Sequence, residues 1–252
     1  GARVQVVKEW VYPEDEYDEE SEDGTDEDED YEPAEPYQQY VPVWVVTDLD
    51  ASGLRRWAHD AVGHLITHTD EINRLNVFPV ADSDTGTNML FTMRSAVVWA
   101  DERAAGDHAG VAEVAAALSD GALHGARGNS GVILSQILRA IAETTAGSRP
   151  VEIDGPVLAS ALRRAAGLVV RSMGEEVPGT IVSVLQAAAA AAEQVAAAAA
   201  EIAAVVASAA DAAAVALERT TDQLDVLAQA GVVDAGGRGL LVLLDAMTAT
   251  LT

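Results

Sequence analysis

Two carboxylates two residues apart, Asp82 and Asp84, stand in the stretch Asn76-Val-Phe-Pro-Val-Ala-Asp-Ser-Asp-Thr-Gly-Thr-Asn-Met89. Carboxylates so spaced in a turn can hold a hard divalent cation through oxygen. Thr85, Gly86, Thr87 and Asn88 follow at once and run into the helical pattern Met89-Leu-Phe-Thr-Met-Arg. The backbone N–H groups of a Gly-containing turn that opens a helix can hold phosphate oxygens. The two features together point to a metal–nucleotide site. A pair of surface aspartates in a capped turn would read the same on this segment alone.

Three more segments place Gly with Asp, Asn, Ser or Thr at a helix start: 125–131, 179–180 and 234–239. The helices themselves follow from apolar spacing. Leu54, Trp57, Ala58, Ala61, Val62, Leu65 and Ile66 recur at 3 and 4, giving a first helix from about Asp50 to Arg74. Pro79 forbids its regular continuation. Further helices are expected over about 88–100, 110–123, 132–145 and 154–173, then from Thr180 through the Ala-rich run to Arg219, and over 240–250. No segment after 47 reads as a strand, so the fold class expected is all-α.

Parity then matters. In an up-and-down bundle with short connections, every second helix starts at the same end. The first three Gly-marked segments precede helices two, four and six. The fourth joins them only if Ile181–Arg219 is two antiparallel helices. A single helix of that length would run about 58 Å at ~1.5 Å per residue, too long for its partners. A turn is therefore expected near Ala197–Glu201, giving an eight-helix up-and-down antiparallel barrel with four N-termini on one rim. Unsatisfied N–H groups and positive dipole ends gathered there suit a polyanion.

Composition sets outer bounds. The 252 residues are 49% hydrophobic, enough for a sizeable core, but only 4% aromatic, so that core should be built of closely spaced Ala-rich helices. The net charge of −26 argues against nucleic acid or an anionic membrane as partner. Residues 14–35 alone carry fifteen acids and no base. With so few aliphatics they cannot offset the entropy of ordering. We expect residues 1–46 to form an acidic, largely disordered N-terminal segment, with 14–40 disordered and its flanks at best a marginal strand pair. Residues 47–252 then form the helical domain.

The chain lacks cysteine, which excludes Cys-ligated metal and fits a reducing, cytoplasmic setting. No signal peptide is read at the N-terminus. No membrane span is expected, because Glu193, Glu201 and Asp211 interrupt the Ala-rich run. Lys8 is the only lysine beside fourteen arginines. A P-loop, which requires GxxxxGK[ST], is therefore excluded, and cationic contacts to phosphate in the domain must come from Arg. His64 and His68 share a helix face, but no third ligand accompanies them.

The residues also carry a resemblance. The Asn76–Met89 stretch, Gly125-Ala-Arg-Gly-Asn-Ser-Gly-Val-Ile-Leu-Ser-Gln136, Gly179-Thr-Ile and Val233-Asp-Ala-Gly-Gly-Arg-Gly239 resemble the DhaL-type nucleotide-binding domain of the dihydroxyacetone kinase family. They look most like the branch of the bacterial fatty acid kinase catalytic subunit. The match spans about 50–252. It implies a helical barrel that binds ATP with two Mg²⁺ at one rim, Asp82 and Asp84 being metal ligands and Asn76 a weaker candidate. It further implies that Thr85, Gly86, Thr87, Asn88, Asn129 and Ser130 contact phosphate. Thr180 and Ile181 would lie near the nucleotide, and Asp234, Ala235 and Gly236 would close over it. Two departures stand out: Ser83 where Gly is usual between the aspartates, and Pro178 where Glu commonly precedes Gly-Thr. A Ser suits that turn unless its φ is positive.

Phosphoryl transfer needs charge neutralisation and positioning more than a protein base. Arg127 or Arg238 could supply the charge, or be helix-surface residues. The leading reading is an ATP/Mg-dependent kinase domain acting on a fatty acid carboxylate presented by a separate carrier protein. In the family the carrier-binding region lies C-terminal to this domain, so the chain ending at Thr252 is expected to bind Mg·ATP but to transfer poorly. A dihydroxyacetone-kinase-like phosphotransfer subunit is the second enzyme reading. From another class comes a non-catalytic helical interaction module whose acidic arm recruits a basic partner. A homodimer is left open.

Overall fold

The computed structural model describes residues 2–11, 35–46, 49–106 and 108–251. Two compact units result, residues 2–45 and 46–252. The first is a two-stranded sheet of β1 (Ala2–Val11) and β2 (Tyr37–Val46). Tyr37–Tyr40, expected within the disordered stretch, thus belong to a strand. The rest of the acidic run, residues 14–34, lies outside the described residues.

The second unit carries helices α1 (Ala51–Leu75), α2 (Thr85–Arg103), α3 (Val111–Gly125), α4 (Gly128–Ser148), α5 (Gly155–Met173), α6 (Ile181–Ala197), α7 (Ile202–Gln223), α8 (Asp225–Ala230) and α9 (Ala235–Leu251). Each long helix packs on its neighbours in the chain, α7 passes over the six-residue α8 to reach α9, and α9 closes on α1. The result is the expected ring of eight long helices. The reversal between α6 and α7 falls at Ala198–Glu201, where the length argument requires it, with Ala199 in the left-handed region at φ 56°. One expectation fails. Leu49–Asp50 (β3) and Glu152–Ile153 (β4) pair antiparallel after residue 47. Two residues per strand are too few for any alternation to register in sequence.

The core runs the length of the ring and is built as composition requires. Leu54, Leu65, Met93, Leu138, Leu185 and Leu240 are fully buried, and Ala188, Ala192, Ala209 and Ala213 let α6 and α7 approach closely. Trp57 lies inside with its Nε1 donating to the Leu243 carbonyl at 3.0 Å, locking α1 to α9. No helix among the described residues is long and apolar enough to cross a membrane.

Helix starts differ from expectation in a consistent way. α2 begins at Thr85, α4 at Gly128 and α9 at Ala235, three to five residues early. The Gly, Thr and Asn residues taken as loop are first-turn residues. Their N–H groups have no intrahelical partner in any case, so poor helix formers cost little there.

Candidate functional site

α1 ends at Asn76, whose side chain is buried and whose Nδ2 donates to Asp82 Oδ1 at 2.6 Å. The exposed Asp82 carboxylate is thereby aimed, with its second oxygen open. Asp84 is the N-cap of α2, yet its side chain caps nothing. Among the described residues, no three His, Asp or Glu side chains converge to hold a metal by themselves. A hard cation held by the two aspartates would need its remaining oxygens from elsewhere.

Between them Ser83 has φ +58°. A side chain in that region costs ~1–2 kcal/mol. Ser83→Gly is therefore expected to raise stability by about 1 kcal/mol, read as an upward shift of the thermal midpoint. An unchanged or lower midpoint would contradict the strain.

The first turn of α2 is held from outside. Asn73 on α1 donates from Nδ2 to Thr87 Oγ1 at 2.9 Å and accepts the Thr87 N–H at 3.1 Å. Gly86 lets the two helices meet, since a Cβ there would stand 2.6 Å from the Thr69 carbonyl oxygen, a backbone atom that cannot step aside. Gly86→Ala is expected to cost about 1–3 kcal/mol, measured by chemical denaturation.

The second motif seats on the first. Thr92 Oγ1 donates to the Asn88 carbonyl at 2.7 Å and accepts the Arg127 N–H at 3.3 Å. Gly128, at φ +60°, faces the Asn88 amide, whose Nδ2 lies 2.5 Å from where a Cβ would stand. Arg127 is exposed and stacks its guanidinium over the Phe91 ring at 4.2 Å.

The third and fourth motifs share one carboxylate. Asp234 is buried; its Oδ2 accepts the Gly237 N–H of α9 at 2.8 Å, and its carboxylate faces the Ile181 backbone at the start of α6. Burial pushes its pKa up to about 6, against the opposing pull of those two donors. Its own N–H donates to Thr220 Oγ1 at 3.0 Å, so the end of α7 holds the loop. Thr180 caps α6, accepting from the Val182 N–H at 3.4 Å and donating to the Val177 carbonyl at 2.7 Å. Pro178 fits the turn before it, because Gly179 follows at φ +81° and proline favours the position preceding such a residue.

All four motifs meet at one cavity of about 290 Å³. Thr85, Asn129, Ser130, Thr180, Ile181, Asp234 and Gly236 line it, joined by the apolar Phe78, Met89, Ile133 and Met173. Asn76, Asp82, Asp84, Gly86, Thr87, Asn88, Arg127 and Ala235 stand in the same motifs but not on its wall. Arg238 also stays off the wall: its Nε donates to Glu71 Oε1 of α1 at 2.8 Å. That ion pair, aided by His68 at 2.9 Å, lowers the Glu71 pKa. A larger cavity of about 680 Å³ opens at the opposite end, between the starts of α1 and α3 and the ends of α2 and α4.

The four helix starts are not equivalent. Asp234 and Thr180 already satisfy N–H groups at α6 and α9. α2 and α4 have no side-chain cap on their first turns, apart from Thr87 held by Asn73. The open donors thus lie at Thr85–Gly86 and Gly128–Ser130. Sequence reasoning missed Asn73, Thr92, Thr220 and Glu71, whose partners lie 14 to 167 residues away. A polar residue on the buried face of an otherwise apolar helix, as at Thr92 and Thr220, is the one signal that could have marked them.

Comparison with known proteins places this geometry in a lineage. A DAK2-domain family model matches residues 79–249. The chain is 37% identical over 188 residues to Protein YloV of Bacillus subtilis, covering 75% of this chain and 33% of that protein. It is 35% identical over 178 residues to the uncharacterized protein SAB1090 of Staphylococcus aureus, covering 71% and 32% respectively. The chain thus spans about a third of the length of these relatives. Its fold matches dihydroxyacetone kinase of C. freundii, solved in complex with AMP-PNP and Mg²⁺, with a TM-score of 0.58 and 19% identity, over 77% of this chain and 33% of that one. With the matched segment running from the cis Phe78–Pro79 peptide through to α9, the chain belongs to the DAK2-domain family.

Proposed function

We propose that residues 47–252 form a Mg·ATP-binding phosphotransferase domain of the cytoplasm, preceded by a distinct acidic segment, residues 1–46. The domain would transfer the γ-phosphoryl group of ATP to a fatty acid carboxylate presented by a separate carrier protein. One observation carries the nucleotide. A cavity of about 290 Å³ is lined by apolar residues together with Thr85, Asn129 and Ser130 from two helix starts that have no side-chain cap, one of which directly follows the Asp82/Asp84 pair in the chain. Such a cavity suits a nucleoside on its apolar wall and phosphates at the open donors.

Asp82 and Asp84, with Asn76 aiming the former, would hold Mg²⁺, two ions on the family resemblance. When bound there, Mg²⁺ neutralises charge on the phosphates. Thr85 to Asn88, Asn129 and Ser130 would orient the phosphate oxygens. Thr180, Ile181 and the Asp234–Gly236 turn would frame the nucleoside. Arg127, exposed beside Gly128 and stacked on Phe91, would meet developing charge. Arg238 would act through Glu71 by fixing where α9 begins.

The likeness to dihydroxyacetone kinase supports a second reading, transfer to dihydroxyacetone bound on a partner subunit. Calorimetric titration of ATP with and without Mg²⁺ tests the shared part; no binding in the presence of Mg²⁺ sinks both readings. Acyl phosphate formation with a fatty acid carrier, against dihydroxyacetone phosphate formation with its subunit, then separates them.

A further inference from the structure

Four aspartates stand immediately before helices: Asp50 before α1, Asp84 before α2, Asp154 before α5 and Asp234 before α9. Three of them make the same bond. Asp50 accepts the Gly53 N–H at 2.7 Å, Asp154 the Val157 N–H at 2.9 Å and Asp234 the Gly237 N–H at 2.8 Å, each donor lying three residues on. This is the ordinary work of an N-cap carboxylate, which satisfies a first-turn donor. The corresponding donor for Asp84 is the Thr87 N–H, and it goes elsewhere, to Oδ1 of Asn73 on α1 at 3.1 Å. The Asp84 carboxylate makes no hydrogen bond among the described residues.

The backbone agrees. Asp50 and Asp154 have ψ of −175° and −179°, the extended setting in which a cap side chain turns back over its helix, whereas Asp84 has ψ 0°. The orientation of Asn73 is fixed in turn. A backbone N–H can only donate, so the amide oxygen must face it, and the amide nitrogen then faces Thr87 Oγ1, to which it donates at 2.9 Å. Gly86 leaves room for this arrangement, since a Cβ there would stand 3.0 Å from Asn73 Oδ1.

We infer that Asn73 is a positioning residue: it caps α2 in place of Asp84 and so leaves the Asp84 carboxylate for a divalent cation. The same two bonds occupy the Thr87 N–H and turn the Thr87 hydroxyl hydrogen away from Asn73. Thr87 can then meet a phosphate oxygen only through that hydroxyl. The inference rests on the reading of Asp84 as a cation ligand, but the exchange of caps is testable with no metal present.

The metal-free test is a double-mutant cycle on the whole chain, read by thermal midpoints. In the parent, Asp84→Ala should leave the midpoint unchanged, because Asp84 caps nothing. In Asn73→Ala the released Thr87 N–H should draw Asp84 into the cap. Adding Asp84→Ala there should lower the midpoint by a further ~2–4 °C, the usual worth of one N-cap in a domain of this size. Asn73→Asp retains an acceptor for Thr87, so in that background Asp84→Ala should again cost nothing. With ligand, Asn73→Ala should weaken Mg·ATP binding at least about 10-fold, the usual loss when a group that orients a metal ligand is removed, while ATP alone binds as before. Asn73→Asp should bind Mg·ATP within about threefold of the parent, since the cap is kept. Midpoint changes that simply add in the Asn73→Ala cycle, coupling in the Asn73→Asp cycle, or Mg·ATP affinity equal in Asn73→Ala and parent overturn the inference. If the parent binds no Mg·ATP, the ligand reading falls instead, and the midpoints still decide whether Asn73 has taken over the cap.

Discussion

Asp84→Ala is expected to weaken Mg·ATP binding by at least ~100-fold, or about 2.7 kcal/mol, while leaving the fold intact. Loss of an outer-shell partner of a bound metal already costs roughly 10–100-fold, and removal of a direct ligand costs no less. Asp84 suits the experiment because its carboxylate caps nothing in α2 and makes no hydrogen bond among the described residues. Alanine therefore removes a donor without removing a structural contact, and the thermal midpoint should stay within about 0.5 kcal/mol of the parent. Asp82→Ala should weaken binding similarly but also leave the buried Asn76 amide without its acceptor, adding a stability cost of about 1–3 kcal/mol. Calorimetry with and without Mg²⁺ reads both. Affinity unchanged in Asp84→Ala, or lost equally without Mg²⁺, would remove the ligand assignment.

The second large effect concerns Asp234 and pH. Its pKa stands at about 6, above the ordinary 3.8, because it is buried. A carboxyl group with a raised folded-state pKa stabilises the fold when protonated. That contribution is full below about pH 4 and is lost as pH rises through about 6. At ~1.4 kcal/mol per pKa unit the loss comes to about 3 kcal/mol. Asp234→Asn is neutral throughout and should not show this loss. The difference in unfolding free energy between variant and parent should therefore move in the variant's favour by about 3 kcal/mol between pH 4 and 7. Parallel stability curves would mean that the carboxyl is not titrating where its burial puts it. The group is ionised at neutral pH all the same, since two backbone donors at the starts of α6 and α9 face it.

Much of this was legible in the chain itself, and the physical reason is locality. Asp82, Asp84 and the turn that follows are contiguous, as are Gly128, Asn129 and Ser130. The parity of Gly-marked helix starts needs only helix counting, and the break at Ala198–Glu201 came from length alone, without a Gly or Pro to mark it. What stayed hidden depends on distance in sequence. Glu71 and Arg238 are 167 residues apart, and either reads as a surface charge on its helix. Thr220 looks like one more polar residue at a helix end until Asp234 is brought onto it. The positive φ of Ser83 could be posed as a question from sequence, but its sign is set by how Asn76 and Asp82 close the turn.

The unequal capping of the helix starts has a consequence for amide hydrogen exchange. First-turn N–H groups ordinarily exchange fast because nothing local protects them. In this chain Val182 is held by Thr180, Gly237 by Asp234, and Thr87 by Asn73. Deuterium should therefore enter slowly at α6 and α9 even without ligand, and quickly at Thr85, Gly86, Asn129 and Ser130. A bound polyphosphate would leave a footprint confined to those two fast segments, so the orientation of the nucleotide could be read without a label on it.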